Sequence, residues 1–252
     1  MPERFTDRIA LVTGAGSGIG RATAQAFARE GATVIVAGRR ADALAETVAL
    51  ITAAGGHAHA QPTDVTQPRE VERLVHDTVA HHGGLHIAFN NAGTLTAGPL
   101  ADVDDTDWTQ LLAVNITGVF LAMKYEIRHM RTAGGGVIVN TAANIGAHQR
   151  RASMAAYAAT KAAVSAMTRG AALDHIGDGV RINAISPGPI ETTMSLRPGE
   201  TPTDRAARLQ DTNPTGRVGT LDEVAAAVLW LCSPESSFTV GHDLVLDGGA
   251  SA

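Results

Sequence analysis

A single cysteine, Cys232, leaves no partner for an internal disulfide and suits a reducing compartment. Long apolar runs are also missing: none approaches the ~20 residues that span a bilayer, and the opening MPERFTDR lacks the apolar stretch of a signal peptide. There is no basic excess. The 20 Lys and Arg against 25 Asp and Glu give a net charge of −5, which leaves no footprint for nucleic acid. The histidines, among them His57, His59 and His86, have no Cys or carboxylate companions at metal-ligand spacing, so no metal is expected. Linkers, repeats and low-complexity segments are absent too. These absences leave the expectation of a soluble, cytoplasmic chain. Its 252 residues, 44% hydrophobic, suffice for the core of one large α/β domain.

The apolar residues that are present recur in order. Residues 9–12 are apolar on both faces, like a buried parallel strand, and run into Thr13-Gly14-Ala15-Gly16-Ser17-Gly18-Ile19-Gly20 and a helical run over 21–30. Strand, glycine loop and helix make a phosphate site. Glycines let main-chain N–H groups approach the anion, and the helix N-terminus adds partial positive charge. The framework is T-G-x-x-x-G-x-G on Gly14, Gly18 and Gly20, not the commoner G-x-G-x-x-G. A second strand, 33–37, ends at Gly38-Arg39-Arg40. A carboxylate at that strand end would bind an adenosine 2′-hydroxyl, whereas Arg accommodates a 2′-phosphate. Arg39 can pair with the phosphate and stack on adenine, so NADP is favoured over NAD. Arg40 reads equally well as a solvated residue opening the next helix.

Helices over 42–54 and 69–82 and strands over 57–61 and 86–90 continue the alternation. Asp64, after the third strand, either accepts from the adenine amino group or caps the helix that starts near Pro68. Asn90-Asn91-Ala92-Gly93 suits a wall against which a cofactor lies, although strand-end Asn also satisfies local backbone groups. A helical region from 106 to about 131 carries Asn115 inside an apolar pattern, making that amide a kink site or a functional residue. A strand at 180–186 enters Pro187-Gly188-Pro189-Ile190-Glu191-Thr192, a turn stiffened by proline, with Thr192 in reach of a cofactor amide or phosphate. Residues 194–213 lose core periodicity and are the expected flexible lid. Thr220 and Glu223 form a capping box for a helix over Leu221–Cys232, and a strand at 243–246 follows.

Between these lies VIVNTAANIGAHQRRASMAAYAATK, residues 137–161. If its Ala-rich part is helical, Tyr157 and Lys161 share one face, a turn apart. A buried phenol beside a fixed cation has its phenolate stabilised. Its pKa is then expected to fall towards working pH, where it can give or take a proton.

Alternating strands and helices imply a doubly wound parallel sheet. Thr13-Gly14-x-x-x-Gly18-Ile19-Gly20, Asn90-Asn91-Ala92-Gly93, Asn115, Tyr157-x-x-x-Lys161 and Pro187-Gly188, in this order and at these separations, closely resemble the short-chain dehydrogenase/reductase family. The likeness covers essentially the whole chain, including Gly216-Arg217-Val218-Gly219 and Asp247-Gly248-Gly249. It implies an α/β, single-domain Rossmann fold over 1–252, with a seven-stranded parallel sheet and helices on both faces. It also implies hydride transfer between a nicotinamide cofactor and an alcohol/carbonyl pair. By that likeness Tyr157 is the general acid/base, Lys161 holds the nicotinamide ribose hydroxyls and lowers the Tyr157 pKa, and Asn115 fixes a water in a proton relay. The cofactor contacts would be Gly14, Ser17, Gly18, Ile19, Gly20, Arg39, Asp64, Val65, Asn91, Ala92, Gly93, Tyr157, Lys161, Pro187, Gly188, Ile190 and Thr192. A homotetramer is implied as well. Helices around 111–130 and 155–167, apolar on more than one face, agree with burial on two sides.

One departure stands out. The family ends its fifth strand with a Ser, thirteen residues before the Tyr and three before a Gly, which hydrogen-bonds the substrate carbonyl. Here Ala143 stands three before Gly146 and Asn144 thirteen before Tyr157, in a loop one residue longer. Ala143 has no donor. The Asn144 amide has one, so Asn144 is the expected substitute in the catalytic set, ahead of Thr141 on the strand and Ser153, a cap for the Tyr helix. Losing such a donor outright costs about 10²–10³ in rate. Two functions follow: an NADP(H)-dependent alcohol dehydrogenase or ketoreductase, and a cofactor-binding regulatory protein with a decayed centre. The substrate is not declared; Arg197, Arg205 and Arg208 in the lid hint at an anionic group, and ordinary solvation also accounts for them.

Overall fold

The computed structural model describes residues 4–252. Strands β1 (Ile9–Thr13), β2 (Thr33–Gly38), β3 (His57–Pro62), β4 (Ile87–Asn90), β5 (Gly136–Thr141), β6 (Val180–Pro187) and β7 (Asp243–Leu246) form one sheet in the order β3-β2-β1-β4-β5-β6-β7. Every pairing is parallel. The order reverses between β1 and β4, the switch point outside which open α/β sheets bind their ligands.

Side chains alternate across the sheet and fill two cores. On one face Val12, Val34, Val36, Phe89, Val139 and Ile185 pack against α1 (Gly18–Arg29), α2 (Ala41–Ala53) and α9 (Leu221–Cys232). On the other, Leu11, Ile35, Ala88, Ile138 and Ala184 meet α3 (Pro68–His82), α5 (Val119–Met130) and α7 (Ala155–His175). This two-sided burial is why the strand sequences read as continuous apolar runs. No helix among the described residues is long and apolar enough to cross a membrane.

Three local features differ from the sequence reading. The helix expected from 106 to 131 is α4 (Asp105–Leu112), a π-helical segment over Ala113–Gly118, and α5; Asn115 sits in the π segment, where the hydrogen-bond register shifts. The turn α6 (Asn144–Ala147) is broken by non-helical Ile145 and Gly146. Residues 194–213 carry α8 (Pro202–Gln210), closed at its start by a Thr201/Asp204 capping box and seated by buried Arg205 and Leu209.

Under the switch point lies a buried polar cluster. Asn90 Nδ2 donates to Glu126 Oε2 (2.9 Å) and to Asn140 Oδ1 (3.0 Å), and Asn140 Nδ2 donates to Thr168 Oγ1 (3.0 Å). Asn90 is thus structural. Among the described residues Glu126 Oε1 and Asn90 Oδ1 have no partner, and no cation acts on the carboxylate. Burial therefore pushes the Glu126 carboxyl up to about 7 from its ordinary 4.5. A raised carboxyl favours the protonated fold, so this stabilisation is complete below the ordinary value and is lost as pH rises through 7. Glu126→Gln, which keeps the neutral shape, is expected to stabilise the protein by about 3 kcal/mol at pH 8 and by less than about 1 kcal/mol at pH 5. Thermal melts of both proteins at the two pH values check this.

Candidate active site

The loops at the C-terminal ends of β1, β2, β4, β5 and β6 open into one cleft of about 1100 Å³. Its floor is the glycine loop. Gly14 has φ of +66°, a conformation side chains resist, and a Cβ on Gly20 would collide with the Gly14 carbonyl. Asn91 Nδ2 donates to the Thr13 carbonyl (3.2 Å), and Thr13 Oγ1 accepts from the N–H groups of Asn91 and Ala92, clamping β1 to β4. The α1 N-terminus begins at Gly18, inside the loop. Its N-cap Ser17 makes no side-chain cap and its first turn holds no acid, so its N–H groups are open to an anion. Gly38, Arg39 and Arg40 line the same cleft beyond the glycine loop. This donor set, a helix N-terminus with guanidiniums beyond it, fits a dinucleotide.

Of the expected cofactor residues, Gly14, Ser17, Gly18, Ile19, Arg39, Asn91, Ala92, Gly93, Pro187, Gly188, Ile190 and Thr192 all line the cleft. Gly20 lies beneath it. Asp64 and Val65 do not reach its wall: Asp64 Oδ1 accepts from the Thr66 N–H (3.0 Å) and hydroxyl (2.8 Å), and Val65 is buried with Val114 and Leu121. Nor does Asp64 cap α3, whose N-cap is Gln67.

Tyr157 and Lys161 stand on one face of α7, both buried and both lining the cleft. Lys161 Nζ donates to the Thr141 carbonyl (2.8 Å) and lies 5.9 Å from the Tyr157 ring centroid. The Tyr157 hydroxyl has no hydrogen-bond partner among the described residues. Burial pushes the phenol above its ordinary value and Lys161 down to about 8. For the protein alone this reverses the expected fall of the Tyr157 pKa, because burial disfavours the charged form of each group.

Comparison with known proteins gives the same picture. The family described as enoyl-(acyl carrier protein) reductase matches residues 14–251. Cyclohexanol dehydrogenase of Acinetobacter sp. is 36% identical over 98% of this chain and 96% of its own. Cis-4-hydroxycyclohexanecarboxylate dehydrogenase of Sinomonas cyclohexanicum is 38% identical over 100% of both. A short-chain type dehydrogenase/reductase of Mycobacterium marinum superposes with a TM-score of 0.93 at 34% identity, over 99% of this chain and 98% of its own. The chain belongs to the short-chain dehydrogenase/reductase family. It is therefore an oxidoreductase of a family that binds NAD(P)(H).

The loop after β5 is where the sequence departs from the pattern that the resemblance implies. Ala143 is buried against Leu111, Ala156 and Tyr157, with nothing to donate. Asn144, expected to replace the family serine, has both amide hydrogens engaged, on Asp247 Oδ2 (3.2 Å) and Gln149 Oε1 (3.2 Å). Its Oδ1 accepts from Ile145 N–H (2.8 Å). The geometry thus holds Asn144 as a brace, not as a donor into the cleft. Asn115 is also fully engaged: Oδ1 accepts from Thr94 N–H, and Nδ2 donates to the Thr94 carbonyl and to Thr160 Oγ1. It pins the loop after β4 to α7, behind Gly93, where an added Cβ would stand 3.4 Å from Lys161 Nζ. Sequence reasoning missed Leu95, Gln149, Arg151 and Met154 on the cleft wall. None has a motif; only the fold brings these loops together.

Proposed function

We propose that this short-chain dehydrogenase/reductase interconverts alicyclic secondary alcohols and their ketones with NADP(H), in the cytoplasm, with Tyr157 as the proton-transfer residue. The observation that carries the reading is the Tyr157 hydroxyl, unpaired among the described residues, on a residue that lines the cleft beside a lysine anchored on the Thr141 carbonyl. The nicotinamide, when bound, supplies the two-electron acceptor or donor for the carbinol carbon. In oxidation the Tyr157 oxygen takes the alcohol proton; in reduction it returns that proton to the ketone oxygen. Lys161 stabilises the phenolate electrostatically and holds ribose hydroxyls, and its anchor keeps it in register. Because burial raises the phenol, oxidation is favoured as pH rises. Leu95, Ala143, Ile145 and Met154 make the wall beside Tyr157 apolar, which suits a saturated ring such as those in the relatives' names.

NADP is preferred over NAD on the charge at the end of β2, where Gly38 is followed by two arginines on the cleft wall and by no carboxylate. Exposed Phe120, Leu173 and Phe238 support a homotetramer, in which further copies would cover them. A second reading, a regulatory protein with a decayed centre, draws on Ala143 and the engaged Asn144.

Five measurements test these proposals. Tyr157→Phe is expected to lower kcat on cyclohexanol by about 10²–10⁴-fold while the NADPH dissociation constant stays within about threefold. Absence of any turnover in the parent protein across alcohols and ketones, with NADPH still bound, overturns the enzyme reading in favour of the regulatory one. Ala143→Ser is expected to raise an already measurable kcat by about tenfold or more. Arg39→Ala is expected to weaken NADPH binding about tenfold or more in fluorescence titration, with little effect on NADH. Light scattering is expected to give a mass near four times the 26.0 kDa chain.

A further inference from the structure

The geometry points to a carboxylate on the substrate, held at the rim of the cleft by Arg151 and Arg197. This rests on the proposed alcohol/ketone reading and names the class of molecule that the same site takes. Three guanidiniums line the rim: Arg151 from the loop before α7, and Arg197 and Arg208 from the segment after β6. Two carboxylates line the same cleft: Glu191 acts on Arg217, and Glu200, the one that acts on Arg151, is already committed. Arg208 Nε and Nη2 donate to its two oxygens at 2.6 and 2.8 Å, and the Arg197 main-chain N–H adds a third bond at 2.9 Å. The remaining lid arginine, Arg205, turns inward to the Thr192 carbonyl and Ser195 Oγ.

That leaves Arg151 and Arg197, whose guanidiniums have no hydrogen bond or ion pair among the described residues. They are not electrostatically idle. Burial lowers the Arg151 pKa, and the charges of Arg197 and then Arg208 lower it further, against a smaller opposing effect of Glu200. The rim therefore carries a like-charge cluster that its own carboxylate does not neutralise, in a protein whose net charge is −5. Such clustering is unfavourable until an anion enters. Planar forks of N–H donors match a carboxylate in bidentate fashion. Leu95, Ala143, Ile145 and Met154 line the same cleft as Tyr157 and these arginines, and the glycine loop, Gly14 to Gly20, is a different set of residues. A ring with a carbinol for Tyr157 and an acid group for the arginines uses the polar and the apolar groups of this one cleft.

The test compares 4-oxocyclohexanecarboxylate with its methyl ester, which keeps the ring and removes the charge. The parent protein is expected to favour the acid by about tenfold or more in kcat/KM, mainly through KM, and salt should erode the preference. Arg151→Ala and Arg197→Ala are expected to pull the acid-to-ester ratio towards one. An ester that works as well as the acid overturns the proposal and leaves the dehydrogenase reading intact. So does a ratio untouched by both substitutions. A rise in the NADPH dissociation constant with an unchanged ratio assigns the arginines to the cofactor and overturns it likewise. If neither ketone reacts, the functional reading is at fault. Calorimetric titration of unreactive cyclohexanecarboxylate into the NADPH-loaded protein then decides: binding lost in Arg151→Ala supports the rim site, and no binding to the parent protein overturns it.

Discussion

The Lys161 ammonium is buried, faces no carboxylate, and has one hydrogen-bond acceptor among the described residues, the Thr141 carbonyl at the end of β5. A cation in such a place is costly unless its geometry is fixed. The surrounding structure can be read as the means of fixing it. Tyr157 precedes Lys161 by one turn, so whatever sets the lysine also sets the phenol. Thr160, between them, accepts from Asn115, and Asn115 grips both main-chain groups of Thr94. The π segment that carries Asn115 is thus tied to α7 and to the loop after β4 at once. A register change inside a helix, costly in isolation, is how the amide reaches both.

Where local chemistry decided the structure, the sequence was enough to see it. The glycine loop, the parallel strands and the Tyr157/Lys161 pair each follow from residue type at short spacing. The helix ends at 220–223 do so as well, since a capping box is complete within four residues. Asp64 shows where this stops. Its side chain had two plausible partners, adenine and the α3 N-terminus, and the fold gives it a third, Thr66, because a turn intervenes before Gln67 caps the helix. The buried Glu126 was also invisible, since a carboxylate on an amphipathic helix normally marks the solvent side and only the sheet above it reveals the reverse.

The pKa of Tyr157 illustrates the same boundary in energetic terms. Proximity of an ammonium argues for a lowered value and burial for a raised one, and spacing alone cannot rank them. The structure ranks them for the protein by itself: with the phenol and the ammonium both desolvated, each group is driven towards its neutral form. A positive charge placed in the cleft would shift that balance back, so the Tyr157 phenol answers to whatever charge the cleft holds and not to Lys161 alone.

The missing serine can be weighed in the same way. Asn144 is the obvious stand-in by composition, yet its amide braces a buried carboxylate. Asp247 accepts from Asn144 and from the Gly249 N–H, and its carbonyl accepts from Asn213 Nδ2, just past α8. Gln149, the other Asn144 partner, donates to the Ala250 carbonyl. Swinging Asn144 into the cleft would strip a buried acceptor of a donor, at a cost of about 1–3 kcal/mol, while a neutral hydrogen bond to a ketone returns about 0.5–1.5 kcal/mol. The exchange does not favour donation. The loop after β5, Asn213 and the C-terminal residues form one hydrogen-bonded frame, which uses at Asp247 the donor that a serine at 143 would have left free.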